Sequence, residues 1–492
     1  MQYTSTRGGA VSVLASQAIV NGISSDGGLY VPSSFPKLTL EEIAALCDKT
    51  YPERAAEILA KYLDFDYETL KGFAENAYSR FESGEVCPIF KAEDGTYILE
   101  LTHGPTLAFK DMALTLLPYL MTASAEKTGL NKKILILVAT SGDTGKAALE
   151  GFRDVENTEI IVFYPVDGVS PMQKLQMVTQ EGNNVHVCGV RGNFDDTQNA
   201  VKRIFASADI KNRLDIKGYS LSSANSINWG RLVPQIVYYF SAYADLLNMD
   251  EIELGDPINF TVPSGNFGNI LAAYYAREMG LPVNKLICAS NSNNILTDFF
   301  TTGVYDTARE FHKTMSPSMD ILISSNLERL LYELSGRDSD YVAEKMLELK
   351  EKGIYKVDIP LIEKAGIEAG YADEDDTKMA IDCFFDSYHY PLDTHTAVAM
   401  TVYNNYVAAS GDNTPTVVVS TASPYKFPAE VYNALAHENV TDDYAAAKKL
   451  KNLSGYPIPA QISELLIKSV LHKTVVDNDK IDDAVFGFTE RY

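Results

Sequence analysis

The sequence predicts an α/β protein in which short parallel strands alternate with helices, and three observations carry that prediction. Six β-rich apolar runs, at 134–138, 160–164, 185–190, 258–262, 285–289 and 417–420, are separated by helical patterns, the signature of sheets covered by helices on both faces. Two of these runs, 134–138 and 258–262, end in glycine-bearing turns that lead directly into apolar helix starts, as strand-to-helix junctions in parallel sheets do. The 492 residues, 46% of them apolar, exceed what one core organises, so two or three domains are expected.

Residues 1–85 read as a mostly helical preface. Thr39 and Glu42 form a capping box ahead of Ile43, Leu46 and Cys47, and a second amphipathic pattern runs through Ala55, Ile58, Leu59 and Leu63. Next comes His-Gly-Pro-Thr-Leu-Ala-Phe-Lys-Asp-Met at 103–112, which sets Lys110 among apolar residues after a turn. Such a setting disfavours the ammonium form and frees a lone pair that can form a Schiff base with a carbonyl cofactor. The alternative is a lysine whose stem lies along the surface with its head in water.

The run 134–138 reads as a buried parallel strand and passes into Thr140, Ser141, Gly142, Asp143, Thr144 and Gly145 before a helix. Backbone N–H groups and hydroxyls at that helix start suit a carboxylate or a phosphate. A nucleotide P-loop is excluded, because Thr140 stands where its first glycine is required and Ala147 where a magnesium-binding hydroxyl is required. The turn 264–269 follows a second strand, and Gly265 and Gly268 let the backbone approach an anion at a helix N-terminus. An ordinary strand-to-helix turn would look similar. The stretch 338–376, rich in Glu, Lys and Asp, reads as solvated helices of an insertion. The strand 416–420 ends at Thr421, a hydroxyl able to meet a heterocycle nitrogen without a full charge. The last sixty residues read as a helical closing segment.

Together these segments, with the openings 3–8 and 24–32, the Ser-Ala-Asn-Ser-Ile-Asn run at 223–228, and 316–330 and 420–427, resemble the threonine synthase family in its longer microbial and fungal form. That resemblance implies the tryptophan-synthase-β-like fold (fold type II) of pyridoxal-phosphate-dependent enzymes, with two parallel-sheet lobes plus an N-terminal helical extension. It divides the chain into an extension at 1–85, a catalytic region at 86–430 with a smaller lobe at about 130–235, and a C-terminal helical segment at 431–492. The implied reaction is conversion of O-phospho-L-homoserine and water to L-threonine and phosphate by γ-elimination and β-hydration, with pyridoxal 5'-phosphate as cofactor. By the same resemblance Lys110 is the catalytic, cofactor-bearing residue. Gly265, Asn266, Phe267, Gly268 and Asn269 cradle the cofactor phosphate, Thr421 meets the ring nitrogen and Asp143 lies by the 3'-hydroxyl. Ser141, Gly142 and Thr144 bind the substrate carboxylate; Ser226, Asn228 and Arg231 bind its phosphate, with Lys174 and Arg153 as further candidates. For Arg231 the alternative is a residue that begins an amphipathic helix, 231–239, and faces water. Asp393-Thr394-His395 also matches a family segment, but no chemical step follows for His395.

Composition narrows the partners. A net charge of -24 argues against nucleic acid and anionic membranes, so an anionic cofactor and substrate must be held by a few local groups. Five cysteines, spaced some forty to a hundred residues apart, suit neither a zinc site nor a disulfide framework. The start of the chain lacks a signal-peptide layout and no apolar run approaches the roughly 20 residues that cross a bilayer. A cytoplasmic protein with no metal is therefore expected, and the resemblance implies an enzyme that is a monomer or homodimer. The other readings are a serine or threonine dehydratase of the same fold, which needs no second phosphate site, and a catalytically inactive threonine-synthase-like cofactor-binding protein.

Overall fold

The computed structural model describes residues 1–489 except 10, 93–94, 141 and 193. The larger sheet runs in the order Ile367–Tyr371, Val283–Ser290, Ile258–Pro263, Thr416–Ser420, Thr96–Glu100, Ile89–Lys91. Its neighbours are parallel except for the last pair. The smaller sheet, Thr474–Asp477, Val185–Arg191, Thr158–Pro165, Lys133–Ala139, Tyr219–Ser222, is parallel throughout. Central strands such as Thr158–Pro165 and Ile258–Pro263 are buried at every position, which is why the sequence shows them as unbroken apolar runs.

Both sheets have a point where the chain reverses its direction of travel across the strands. In the smaller one the chain leaves Lys133–Ala139 for Thr158–Pro165 and Val185–Arg191 on one side, then returns to Tyr219–Ser222 on the other. In the larger one it leaves Ile258–Pro263 for Val283–Ser290 and Ile367–Tyr371, then returns to Thr416–Ser420. The loops at the carboxyl ends of such strand pairs splay apart and leave a crevice. Loops after all four of these strands line one cleft.

The elements depart from expectation in four places. The N-terminal extension carries, besides the helices Leu40–Ala44, Tyr51–Tyr62 and Tyr67–Tyr78, a small antiparallel sheet of Gln2–Ser5, Val13–Leu14 and Tyr30–Pro32. The charged stretch after 338 forms the helix Ser339–Lys352 but also supplies Ile367–Tyr371, the edge of the larger sheet. The closing segment is not purely helical, since Thr474–Asp477 pairs with Val185–Arg191. Each of these strands is short or partly exposed, so its residues lack the apolar run that marks a central strand. Finally, the helix that holds Arg231 is no amphipathic surface helix: Trp229–Asn248 is buried along nearly its whole length and packs against the extension's helix Tyr51–Tyr62 and against Gly268–Glu278.

Candidate active site

Lys110 ends a turn that is pinned to the larger sheet, where the Phe109 N–H donates to the Thr421 carbonyl at 2.9 Å. Its side chain is 10% exposed, and its Nζ lies 4.8 Å from the centre of the Phe109 ring and 3.6 Å from Asp143 Oδ2. Burial, outweighing the pull of Asp143, brings the Lys110 amine down to about 8. Asp143 opens the helix Asp143–Phe152 at the carboxyl end of Lys133–Ala139. Burial opposes its ionisation, but Lys426 at 3.0 Å and Lys110 overcome that and hold it well below the usual carboxylate range. Gln173 Nε2 donates to Oδ1 at 3.1 Å and Ser318 Oγ to Oδ2 at 3.0 Å.

The turn 264–269 meets the same cleft. Phe267 takes a left-handed conformation, φ 62°, at a cost of about 1 kcal/mol; its ring, stacked on Phe300 at 5.8 Å between centres, offsets that strain. The helix Gly268–Glu278 starts without a side-chain cap, so its first N–H groups are open to an anion. Behind the turn, Ser324 Oγ donates to the Gly265 carbonyl at 2.7 Å and Asn326 Nδ2 to the Asn266 carbonyl at 3.0 Å. A Cβ on Gly265 would sit 3.1 Å from the Ser318 carbonyl, and one on Gly268 3.3 Å from Asn326 Nδ2. Asn269 accepts from Tyr238 and Tyr239 through Oδ1, while its buried Nδ2 has no partner among the described residues.

Arg231 is 5% exposed and lines the cleft. One nitrogen donates to the Ala224 carbonyl at 2.8 Å and the other reaches Thr144 Oγ1 at 3.5 Å; no carboxylate faces it among the described residues, and burial brings it down to about 10. The reading in which it faces water is therefore overturned. Ser226 and Thr144 also line the cleft. Asn228 does not: it caps Trp229–Asn248 by accepting from the Gly230 N–H, and donates to the Ile19 and Ser223 carbonyls at 3.0 and 2.8 Å. Its polar atoms are spent on holding the 223–228 loop, which corrects its assignment as a phosphate ligand. Gly142 sits at the helix start with φ 144° and is pressed against Gln173. Ser141 lies outside the described residues. Thr421 borders the cleft, whereas Arg153 pairs with Glu150 and Lys174 lies away from it beside Tyr164.

Four residues given no role from sequence complete the site. Lys426 is buried in the turn Pro424–Lys426, between Tyr425 and Phe427. Gln173 is the capping-box partner of Ser170 and also reaches Asp143. Ser318 is fixed by His395, whose Nε2 accepts from the Ser318 backbone N–H at 3.1 Å; its Nδ1 must then carry the proton and donate to Asp393 Oδ1 at 3.1 Å. Only the unexplained Asp393-Thr394-His395 match pointed towards that pair.

A buried lysine whose amine is pushed down by burial, beside an anion cup, is the arrangement of a carbonyl-cofactor enzyme, and comparison with known proteins agrees. Residues 88–422 match the family model described as Pyridoxal-phosphate dependent enzyme, 2–78 that of the Threonine synthase N terminus, and 396–479 that of the Threonine synthase C-terminal region. Threonine synthase of Pseudomonas aeruginosa is 40% identical over 88% of this chain and 90% of its own. This chain belongs to the threonine synthase family. The solved structure of pyridoxal-phosphate-bound threonine synthase from Brucella melitensis has a TM-score of 0.87 at 37% identity and covers 100% of both chains. Human threonine synthase-like 1 is 39% identical over 92% of this chain, which spans 62% of that protein's length. The fold is thus fold type II, and the residues present fit the family's cofactor. Among the described residues Lys110 has no polar partner closer than Asp143 at 3.6 Å and Asn269 Nδ2 lacks an acceptor, and the cup is built around two glycines.

Proposed function

We propose that the protein converts O-phospho-L-homoserine and water into L-threonine and phosphate. The observation that carries this reading is the buried Arg231 guanidinium, which lines the cleft without a carboxylate among the described residues. The cofactor's phosphate is provided for by the turn 264–269, so the cleft offers a second cation for a second phosphate. Ser226, beside Arg231 in the cleft, adds a hydroxyl to that place.

Bound pyridoxal phosphate supplies an electron sink that stabilises negative charge on the substrate carbons next to the amino-bearing centre. Lys110 would hold the cofactor and would move protons at the substrate Cα and Cβ. An amine brought down to about 8 suits that work, because it is a competent base near neutral pH and still able to return the proton. Gly265, Asn266, Phe267, Gly268 and Asn269 would hold the cofactor phosphate, and Thr421 would meet the ring nitrogen. Asp143, kept ionised, would stand by the 3'-hydroxyl, and Ser141, Gly142 and Thr144 would orient the substrate carboxylate.

No helix among the described residues is long and apolar enough to cross a membrane. We place the enzyme in the cytosol as a monomer or homodimer, with five free cysteines suited to a reducing compartment.

Rates on O-phospho-L-homoserine and on free serine test the reading. Phosphate release with little serine dehydration supports it; the reverse preference would make the protein a dehydratase. Cofactor uptake with turnover of neither substrate would make it an inactive binder.

A further inference from the structure

Asp143 and Lys110 alone would form a buried ion pair, and such a pair would hold Lys110 as an ammonium, unable to attack a carbonyl or take a proton. The structure contains a third charge. Lys426 is wholly buried, and its ammonium has three acceptors: Asp143 Oδ1 at 3.0 Å, the Thr106 carbonyl at 2.9 Å and Gln176 Oε1 at 3.2 Å. Three acceptors match the three N–H donors of a lysine. Lys110, by contrast, lies 3.6 Å from Asp143, on the other oxygen, which already receives the Ser318 hydroxyl.

We propose that Lys426 is the fixed counter-cation of Asp143, a positioning residue that releases Lys110 from ion pairing so that it can exist as a neutral amine in the cleft. This rests on Lys110 being the reactive lysine. Counting charge shows why: with both lysines protonated the Lys426–Asp143–Lys110 group carries +1, and with Lys110 neutral it carries zero, the state a buried site favours. The Lys426 ammonium lies within 3.2 Å of three oxygens, whereas Lys110 meets Asp143 only at 3.6 Å. Other charged or titratable groups surround the pair: Arg231, His395 and Asp111, the last pushed up to about 6 by burial and so anionic at higher pH, with Lys146 and Glu150 beyond them. Arg231 repels a second cation at Lys110, and His395 is tied between Asp393 and Ser318. Asp111, near Lys426, is engaged by the Thr106 N–H at 2.7 Å and hydroxyl at 2.6 Å.

The test is the pH dependence of acetylation of Lys110 by succinimidyl acetate in the full-length chain freed of cofactor, read by peptide mass spectrometry. The wild-type midpoint is expected near 8. Lys426→Met should raise it by about one unit or more, and Lys426→Arg should keep it within about half a unit. The double variant Lys426→Met/Asp143→Asn removes both charges of the pair and should restore the midpoint to within about half a unit of wild type. An unchanged midpoint in folded Lys426→Met overturns the proposal, as does an arginine variant that shifts as far as the methionine one. If Lys426→Met does not fold, the double variant decides: restoration supports the proposal and a shift of more than about one unit overturns it. Failure of the proposed reaction would instead appear as missing threonine with this titration intact.

Discussion

At Lys110 burial favours the neutral amine, while at Asp143, 3.6 Å away, two lysines hold the carboxylate ionised against the same burial. The consequence is a lysine whose reactive form becomes populated as pH rises through about 8. Loading of pyridoxal phosphate into the cofactor-free chain should therefore quicken about tenfold per pH unit below that value and level off above it, as stopped-flow absorbance would record. A flat profile would remove the premise. Lys110→Ala should fold normally, by circular dichroism, and lose about a thousandfold or more in kcat, the scale of a general acid and base with no substitute. Arg231→Gln acts elsewhere. Losing a charge-assisted contact of about 1.5–3 kcal/mol should raise KM for the phosphorylated substrate about 10- to 100-fold and change kcat little. Unaltered KM would take Arg231 out of the substrate site.

Two elements set these side chains in place. The helix Asp143–Phe152 is anchored at its far end by Glu150, which holds Arg80 of the extension, Lys146 at 3.2 Å, Arg153 at 3.5 Å and Gln180 at 3.0 Å. Burial resists ionisation of Glu150, and Lys146 with the two arginines still holds it down to about 2. A carboxylate depressed in this way contributes stability above its unfolded value near 4.5, and the contribution is lost as pH falls from there towards about 2. Glu150→Gln should cost about 3 kcal/mol at neutral pH and flatten the acid limb of stability in that window, measured by denaturant titration. The cup is the second element. Gly265→Ala would push its Cβ to 3.1 Å from the Ser318 carbonyl and should weaken cofactor binding by about tenfold, roughly 1.4 kcal/mol. The strand, turn and helix of the cup were legible in the sequence because each is encoded by neighbours: an apolar run, two glycines, an apolar helix start. Ser318 and Lys426 were not, because their meaning lies in contacts with Asp143 from positions 175 and more residues away. Asn228 misled for a related reason, since a polar residue at a helix start reads equally as ligand or cap and here is the cap.

Across the whole molecule the extension is part of the core. Trp229, the one tryptophan of the chain, lies wholly buried against Tyr3 and Tyr62 of the extension and Tyr275 of the larger lobe, at 5.2, 5.5 and 5.8 Å between ring centres. Arg7 and Thr6 bind Glu328, and Arg329 donates to the Tyr30 carbonyl at 3.0 Å and to the Ser226 and Ile227 carbonyls. The extension thus braces the segment that backs the phosphate cup. This continuity was visible only as a family resemblance; the strands of the small sheet, two to four residues long, are too short to announce themselves. On the proposed reading this assembly makes threonine. The most direct test of that reading is to incubate the cofactor-loaded protein with O-phospho-L-homoserine and quantify phosphate and L-threonine together, beside Lys110→Ala. Equal amounts of both products, absent from the variant, are predicted; phosphate without threonine, or neither product from a cofactor-loaded protein, would contradict the account.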